Sequence, residues 1–322
     1  MTSSFALVLL AFAAAASATL FSEDAAHQKY LWESFKKEYG KQYETMDIES
    51  RKFAIFLENL KMADRRNVLE LRNGGSAVHG ITHLSDLSQA EFEAGFLTAD
   101  PSMRSADREY VTIDAKPDMT ASLVDWSGKY TTPVKNQGYC GSCWAFSATE
   151  QIESDAMRTL GVSYVLSPEQ ITQCDTTSYG CSGGWSEHAY NYVSKAGGIE
   201  TEANYPYTSY YGITGTCSAA SSKFVITVSG YKTLASESAM ASYVQSTGPL
   251  SVCLDASSWN SYTGGIMATC TKNVDHCVQA VGVDTSSYWK VRNSWGTSWG
   301  ESGYIRLKYG ANTCAIANDP TY

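Results

Sequence analysis

Histidine, long apolar runs and dense basic stretches are all scarce in this sequence. Only five of its 322 residues are histidine, and 24 lysines and arginines face 33 aspartates and glutamates, for a net charge of -9. No Lys/Arg stripe is present that could neutralise a row of phosphates, which excludes nucleic acid as a partner. No segment after Glu23 carries the ~20 apolar residues a bilayer crossing needs, so no membrane anchor is expected. There is no Asn-x-Ser/Thr sequon to read as a glycan address. Cysteine is absent before residue 140.

What is present begins with an uncharged run from Phe5 to Ala16, followed by Ala16-Ser17-Ala18. A small-x-small site after a short apolar run predicts a secretory signal peptide over residues 1–18, without the usual basic residue at its start. Secretion lets cysteines pair. The nine, at positions 140, 143, 174, 181, 217, 253, 270, 277 and 314, are an odd number, so at least one thiol stays free and is a candidate for chemistry.

From Ala25 to about Asp100 the chain reads as a separate helical unit. Phe53, Phe56, Leu57 and Leu60 form an apolar stripe that Gly74-Gly75 ends. Residues 101–118 lose the periodicity and read as an exposed connector open to proteolysis. Beyond Leu123 the composition shifts to glycine, tyrosine and cysteine. A long buried helix is expected from Cys143 to Gly161, with Ala145, Ala148, Ile152, Ala156 and Leu160 on one face. A second is expected with Trp185, His188, Ala189, Tyr192 and Val193 inward. After Ser221 strands dominate: FVITVSGY, PLSVCLDA, HCVQAVGVD, YWKVRNSWG and GYIRLKYG. Helices first and strands second predict an α+β arrangement of two subdomains.

The segment NQGYCGSCWAF sets Cys140 and Cys143 either side of glycine and serine. A redox couple there calls for a compact βαβ unit, which the flanks do not supply. A zinc site needs a second close pair, and Cys174 and Cys181 are too far apart. The remaining reading makes Cys140 structural and Cys143 a nucleophile, which requires a base and a group to orient it. His27, His79 and His83 lie in the helical unit or its tail, and His188 falls on an apolar stripe where a core histidine is the ordinary outcome. His276 opens a strand, where a side chain can emerge at a subdomain junction, and is the better base. Asn293, on the next strand, offers an amide to fix which ring nitrogen faces the thiol, and Trp295 can shield that hydrogen bond.

Gln137, CGSCW at 140–144, Asp275-His276 and NSWG at 293–296 together resemble the papain family of cysteine proteases. That resemblance implies a papain-like α+β fold of two subdomains, helical on the left and β-barrel-like on the right, preceded by an α-helical prodomain. It divides the chain into a signal peptide (1–18), an inhibitory propeptide with connector (19–118) and a peptidase domain (119–322). It implies a monomeric endopeptidase without cofactor or metal, with peptides and proteins as substrates and the propeptide as inhibitor, sent through the secretory pathway to an acidic vesicle such as the lysosome or to the outside. Cys143 is expected to be a thiolate paired with a His276 imidazolium, helped by the helix end. Asn293 orients the ring, and Gln137 with the Cys143 backbone N–H receives the oxyanion.

The resemblance also implies bridges Cys140–Cys181, Cys174–Cys217 and Cys270–Cys314. Cys253 and Cys277 remain, at positions that in this family face the pocket for the second substrate residue before the cut; a fourth bridge and two buried thiols are the alternatives. Gly183 and Gly184 form the backbone edge a substrate strand approaches, Trp185 a wall of the pocket, and Asp319 its floor, where a carboxylate favours a basic side chain. Phe56, Asn59, Asn67, Gly80 and Asp86 match the inhibitory propeptide. Ile48, Lys52, Ala63, Thr82 and Leu84 depart from it. A binding protein on the same scaffold with catalysis lost is the competing reading, although Cys143, His276 and Asn293 are all in place.

Overall fold

The three-four spacing of the front segment produces helices. The computed structural model describes residues 19–113, 116–121 and 123–322, so the leader expected over residues 1–18 lies outside the described residues. Helix α1 (Ala25–Tyr39) is capped by the Asp24 carboxylate, which accepts from the Ala26 N–H, and it ends on Gly40 in the left-handed region at φ 63°. Helix α2 (Met46–Arg72) packs on it through Trp32, Phe35, Phe56 and Leu60, with the Trp32 and Tyr43 rings stacked at 5.5 Å. Helix α3 (Gln89–Phe96) opens on a reciprocal capping box between Ser88 and Glu91.

The residues that depart from the propeptide pattern are accommodated. Lys52 reaches Glu91 at 2.8 Å, Ala63 is fully buried, and Leu84 is buried in the core of the strand-rich half. Asn59 donates to the Ser85 and Leu87 carbonyls, and Asp86 is held by Lys41 and Tyr43.

The long helix α4 (Cys143–Leu160) ends as expected on left-handed Gly161. Ala145, Ala148, Ile152 and Ala156 are buried, but Leu160, in the last turn, extends past the core and is 63% exposed. From Cys143 to Ser154 every side of the helix is covered. Helices α5 (Pro168–Cys174) and α6 (Ser186–Ala196) pack beside it. The inward face of α6 is the expected one in part: Trp185, Ala189 and Val193 are buried, joined by Ser186, Glu187 and Tyr190, while His188 and Tyr192 are half-buried at the edge. His188 is no core histidine, and its Nδ1 lies 3.1 Å from Thr177 Oγ1.

Strands β1 (Val78–His79), β2 (Tyr110–Val111), β3 (Val124–Asp125) and β4 (Thr233–Leu234) are short. After helix α7 (Glu237–Ser246) come β5 (Leu250–Leu254), β6 (Tyr262–Gly264), β7 (Ile266–Met267), β8 (His276–Asp284), β9 (Tyr288–Arg292) and β10 (Tyr304–Lys308). The main sheet runs β3-β8-β9-β10-β7 with β5 also on β8, so β8 lies at its centre and is buried from His276 to Val283. The FVITVSGY segment forms no strand. Only Ile226 makes a bridge, to Ile199, because Val225, Ile226 and Val228 pack against the helical core instead of a sheet edge.

Four disulfides join Cys140–Cys181, Cys174–Cys217, Cys253–Cys277 and Cys270–Cys314. Cys143 is free and buried. Cys140 is therefore not the redox partner of Cys143, and Cys174 and Cys181 belong to different bridges. Cys253 and Cys277 are directly opposite in the antiparallel β5–β8 register, which brings their Cα atoms to 4.0 Å.

Buried polar groups fix α4 against the sheet. Ser147 Oγ donates to the Val278 carbonyl at 2.6 Å, Gln279 Nε2 to Ser154 Oγ at 2.9 Å, and Arg292 stands 3.3 Å from Glu150 while its Nη2 donates to Gln279 at 2.7 Å. This network sets the position of the start of α4 relative to the ends of β8 and β9.

Candidate active site

Cys143 is the first residue of α4, where unpaired backbone N–H groups and the helix dipole favour negative charge. Its side chain is fully buried, and the backbone N–H groups of Cys277, Trp144 and Thr98 face the sulfur. The thiol therefore lies against the residue that follows His276. The His276 ring is also fully buried. Its Nε2 donates to Asn293 Oδ1 at 2.8 Å, which leaves Nδ1 as the free lone pair, with no hydrogen-bond partner among the described residues. Asn293 Oδ1 also accepts from the Ser294 N–H at 2.8 Å. Trp295 lies on the imidazole with ring centroids 4.9 Å apart, and Trp259 and Trp299 complete the aromatic wall.

Gln137 is fixed by three groups: its Nε2 donates to the Cys140 carbonyl at 2.9 Å, its Oε1 accepts from Ser294 Oγ at 2.6 Å, and its backbone carbonyl accepts from Tyr207 at 2.8 Å. Ser294 and Tyr207 were not singled out in the sequence. Gly183 and Gly184 follow a short 3-10 turn. Gly183 has φ 123°, and a Cβ there would collide with the Thr98 carbonyl.

The end of the front unit lies along this edge. Thr98 Oγ1 donates to the Gly141 carbonyl at 2.7 Å, the Ala99 N–H to the Asp275 carbonyl at 3.0 Å, and the Asp100 N–H to the Gly184 carbonyl at 3.2 Å. Ahead of it, Phe92 and Phe96 of α3 set their edges on Trp295 at 5.4 and 5.7 Å. Behind it, Met103 packs into the cluster that contains Trp185, Cys253, Cys277 and Ala315. Asp319 is buried and bound by Arg104 Nη2 at 2.6 Å and Arg108 Nη1 at 2.7 Å.

Further back, α2 holds the strand-rich half of the chain. Arg66 donates to Asn260 and Ser261, Glu70 accepts from the Ala268 and Thr269 N–H groups at 2.9 Å, and β1 pairs with β6.

Under this cover both groups are shifted toward their neutral forms. Burial pushes the Cys143 thiol up to about 12 against the backbone N–H groups that pull it down, and burial draws His276 down to about 4 against the Asn293 hydrogen bond. Burial disfavours the charged form of each group, against hydrogen bonds from the Thr98 backbone to the sulfur and with the Phe96 backbone at the ring that favour it. The same burial raises Asp275 to about 8.

A lone thiol at a helix end, opposite a histidine tethered to an amide and roofed by the chain's own front segment, defines a class: thiol peptidases made as covered precursors. Residues 120–322 match the family described as papain family cysteine protease, and residues 32–92 match the cathepsin propeptide inhibitor domain (I29). Similar proteins include cysteine proteinase 2 of Leishmania pifanoi, 38% identical over 90% of this chain and 68% of the relative. Digestive cysteine proteinase 1 of Homarus americanus is also 38% identical, over 90% of this chain and 93% of the relative. Among solved structures, digestive procathepsin L 3 of Tenebrio molitor larval midgut superposes with a TM-score of 0.80 at 32% identity, covering 92% of this chain and 98% of that one. The chain belongs to the papain family of cysteine proteases, as a cysteine-type peptidase that carries a cathepsin-type propeptide.

Proposed function

We propose that the protein is an endopeptidase precursor in which Cys143 is the nucleophile and His276 the acid–base partner. The observation that carries this reading is the free Cys143 thiol at the start of α4, seated against the Cys277 N–H, while His276 is tied to Asn293 through its far nitrogen. Once the cover leaves and water enters, the helix end and the imidazole favour transfer of the thiol proton to His276 Nδ1. Sulfur then attacks the peptide carbonyl. The oxyanion meets the Cys143 backbone N–H and the Gln137 amide, which turns from Cys140 toward it. His276 returns the proton to the leaving amine as the C–N bond breaks, and water, activated by the same ring, releases the acid from the thioester.

Trp295 keeps water from the His276–Asn293 bond. Gly183 and Gly184 take the substrate backbone where Ala99 and Asp100 now lie, and Trp185, Cys253 and Cys277 line the neighbouring pocket over Asp319, which favours a basic side chain. The front unit is the inhibitor, holding the cleft with its own chain until acid loosens it. The product is a monomer that acts on peptides and proteins, in an acidic vesicle or outside the cell.

The test is acid activation of the full-length chain, labelling with a thiol-alkylating epoxide, and mapping of the adduct. Label on Cys143 with loss of activity is expected. Label elsewhere, or full activity in Cys143→Ala, overturns the reading.

A further inference from the structure

Glu187 has no place in the machinery described so far, yet it is among the most buried carboxylates of the chain, at 1% exposure. It stands in the first turn of α6, two residues after Trp185. Its carboxylate is 2.5 Å from Arg108 Nη2, and it accepts from the Ser105 N–H at 2.8 Å and from the Tyr231 hydroxyl at 3.3 Å. The other fork of the same Arg108 guanidinium is on Asp319 at 2.7 Å. Glu187 and Asp319 are therefore spaced to take the two ends of one guanidinium. Arg104 adds a second cation on Asp319 and lies over the Trp185 ring at 5.3 Å.

All three arginine contacts and the Ser105 N–H come from the connector. When the connector is cut and leaves, Asp319 loses both cations, and Glu187 keeps only the Tyr231 hydroxyl of the partners named. Two carboxylates left together in a partly buried site repel each other, and a cation between them removes that cost. A guanidinium has the planar fork to reach both at once and can stack on the Trp185 face, whereas an ammonium is a point donor.

We infer that Glu187 is a specificity-determining residue that joins Asp319 in a two-carboxylate clamp for an arginine side chain of the substrate, a place that Arg108 of the connector fills in the precursor. This rests on the peptidase reading above. The clamp distinguishes arginine from lysine as well as from leucine, which a single carboxylate on the pocket floor does not require.

The test uses the acid-activated full-length chain and dipeptidyl coumarylamides that differ only in the residue second from the cut: arginine, lysine, citrulline or leucine. Wild-type enzyme is expected to prefer arginine to citrulline, which has the same shape without the charge, by ~10-fold or more in kcat/KM, mainly through KM. Glu187→Gln is expected to lower the arginine-to-leucine ratio by about 10-fold, and Glu187→Asp to restore part of it. Equal rates for arginine and citrulline overturn the clamp without any variant. An unchanged ratio in a folded Glu187→Gln enzyme, or a uniform loss on all four substrates, reduces Glu187 to a structural role and overturns the inference. Failure to cleave any of the four overturns the peptidase reading itself.

Discussion

His79 of the front unit places its Nδ1 2.9 Å from the hydroxyl of Ser261 in the peptidase unit, and Arg66 is bound to that same hydroxyl at 2.7 Å. Burial, with Arg66 beside it, draws His79 down from 6.5 to about 3. A histidine whose pKa is lower when docked than when free is the reverse of a salt-bridged one. The released form binds the extra proton, so the docked state is unaffected above pH 6.5 and weakens steadily as pH falls from there toward 3.

His79, more than carboxylates, is thus poised to loosen the propeptide in acid. Glu70 opposes release, since burial raises its carboxyl, and a raised carboxyl makes the docked state relatively more stable as pH falls. At pH 4.5 His79 alone disfavours docking by roughly 2–3 kcal/mol. His79→Gln is expected to move the pH midpoint of propeptide release downward, read as the onset of activity or of connector cleavage across a pH series. An unmoved midpoint assigns the acid response elsewhere.

Burial raises the Cys143 thiol in the precursor, which predicts a large change in thiol reactivity on activation. Iodoacetamide at pH 6 should modify the precursor slowly and the processed enzyme at least ~100-fold faster, as the thiolate fraction rises. Equal rates before and after processing would show that the cover does not control ionisation.

The bond between His276 and Asn293 predicts a positioning role for the amide. Asn293→Ala should lower kcat by about 10²-fold with little change in KM, since the ring is free to turn while the substrate cleft is intact. A downward shift of the alkaline limb of the pH–rate profile would accompany it, because Asn293 acts to raise the His276 pKa and the ion pair is lost when that imidazolium deprotonates. A change in KM alone would contradict this role.

Arg292 is fully buried 3.3 Å from Glu150, whose carboxyl burial raises to about 7. Arg292→Met leaves that carboxylate without its cation inside the protein, and is expected to cost about 3–5 kcal/mol, visible as a lower Tm. Glu150→Gln combined with Arg292→Met should recover much of the loss. If the double variant is no better than the single one, the pair is not coupled.

Much of the site could be read from the chain because its chemistry depends on residue type. A free thiol could be inferred from an odd cysteine count in a chain expected to be secreted, and a base could be found among five histidines. Periodicity located α2, α4, β5 and β8, whose apolar spacing is strong. It was right only in part on α6, where Trp185, Ala189 and Val193 are buried as expected but the inward face also includes the charged Glu187. Ser186, Ala189, Tyr190 and Val193 also have three-four spacing, so the sequence pattern fits either face. Periodicity failed on FVITVSGY, because β-branched residues serve equally well as side-chain packing for a helical core.

The sequence by itself determined the local choices: where helices start and stop, which residue types were available for chemistry, and that one thiol must stay unpaired. Tertiary structure alone decided the surroundings of Cys143 and His276, because both are buried by distant parts of the chain, and that burial shifts each toward its neutral form. It also decided the partners of Glu187. Arg108 is distant from it in the chain, and only the path of the connector across the cleft brings two buried carboxylates and a guanidinium into one place.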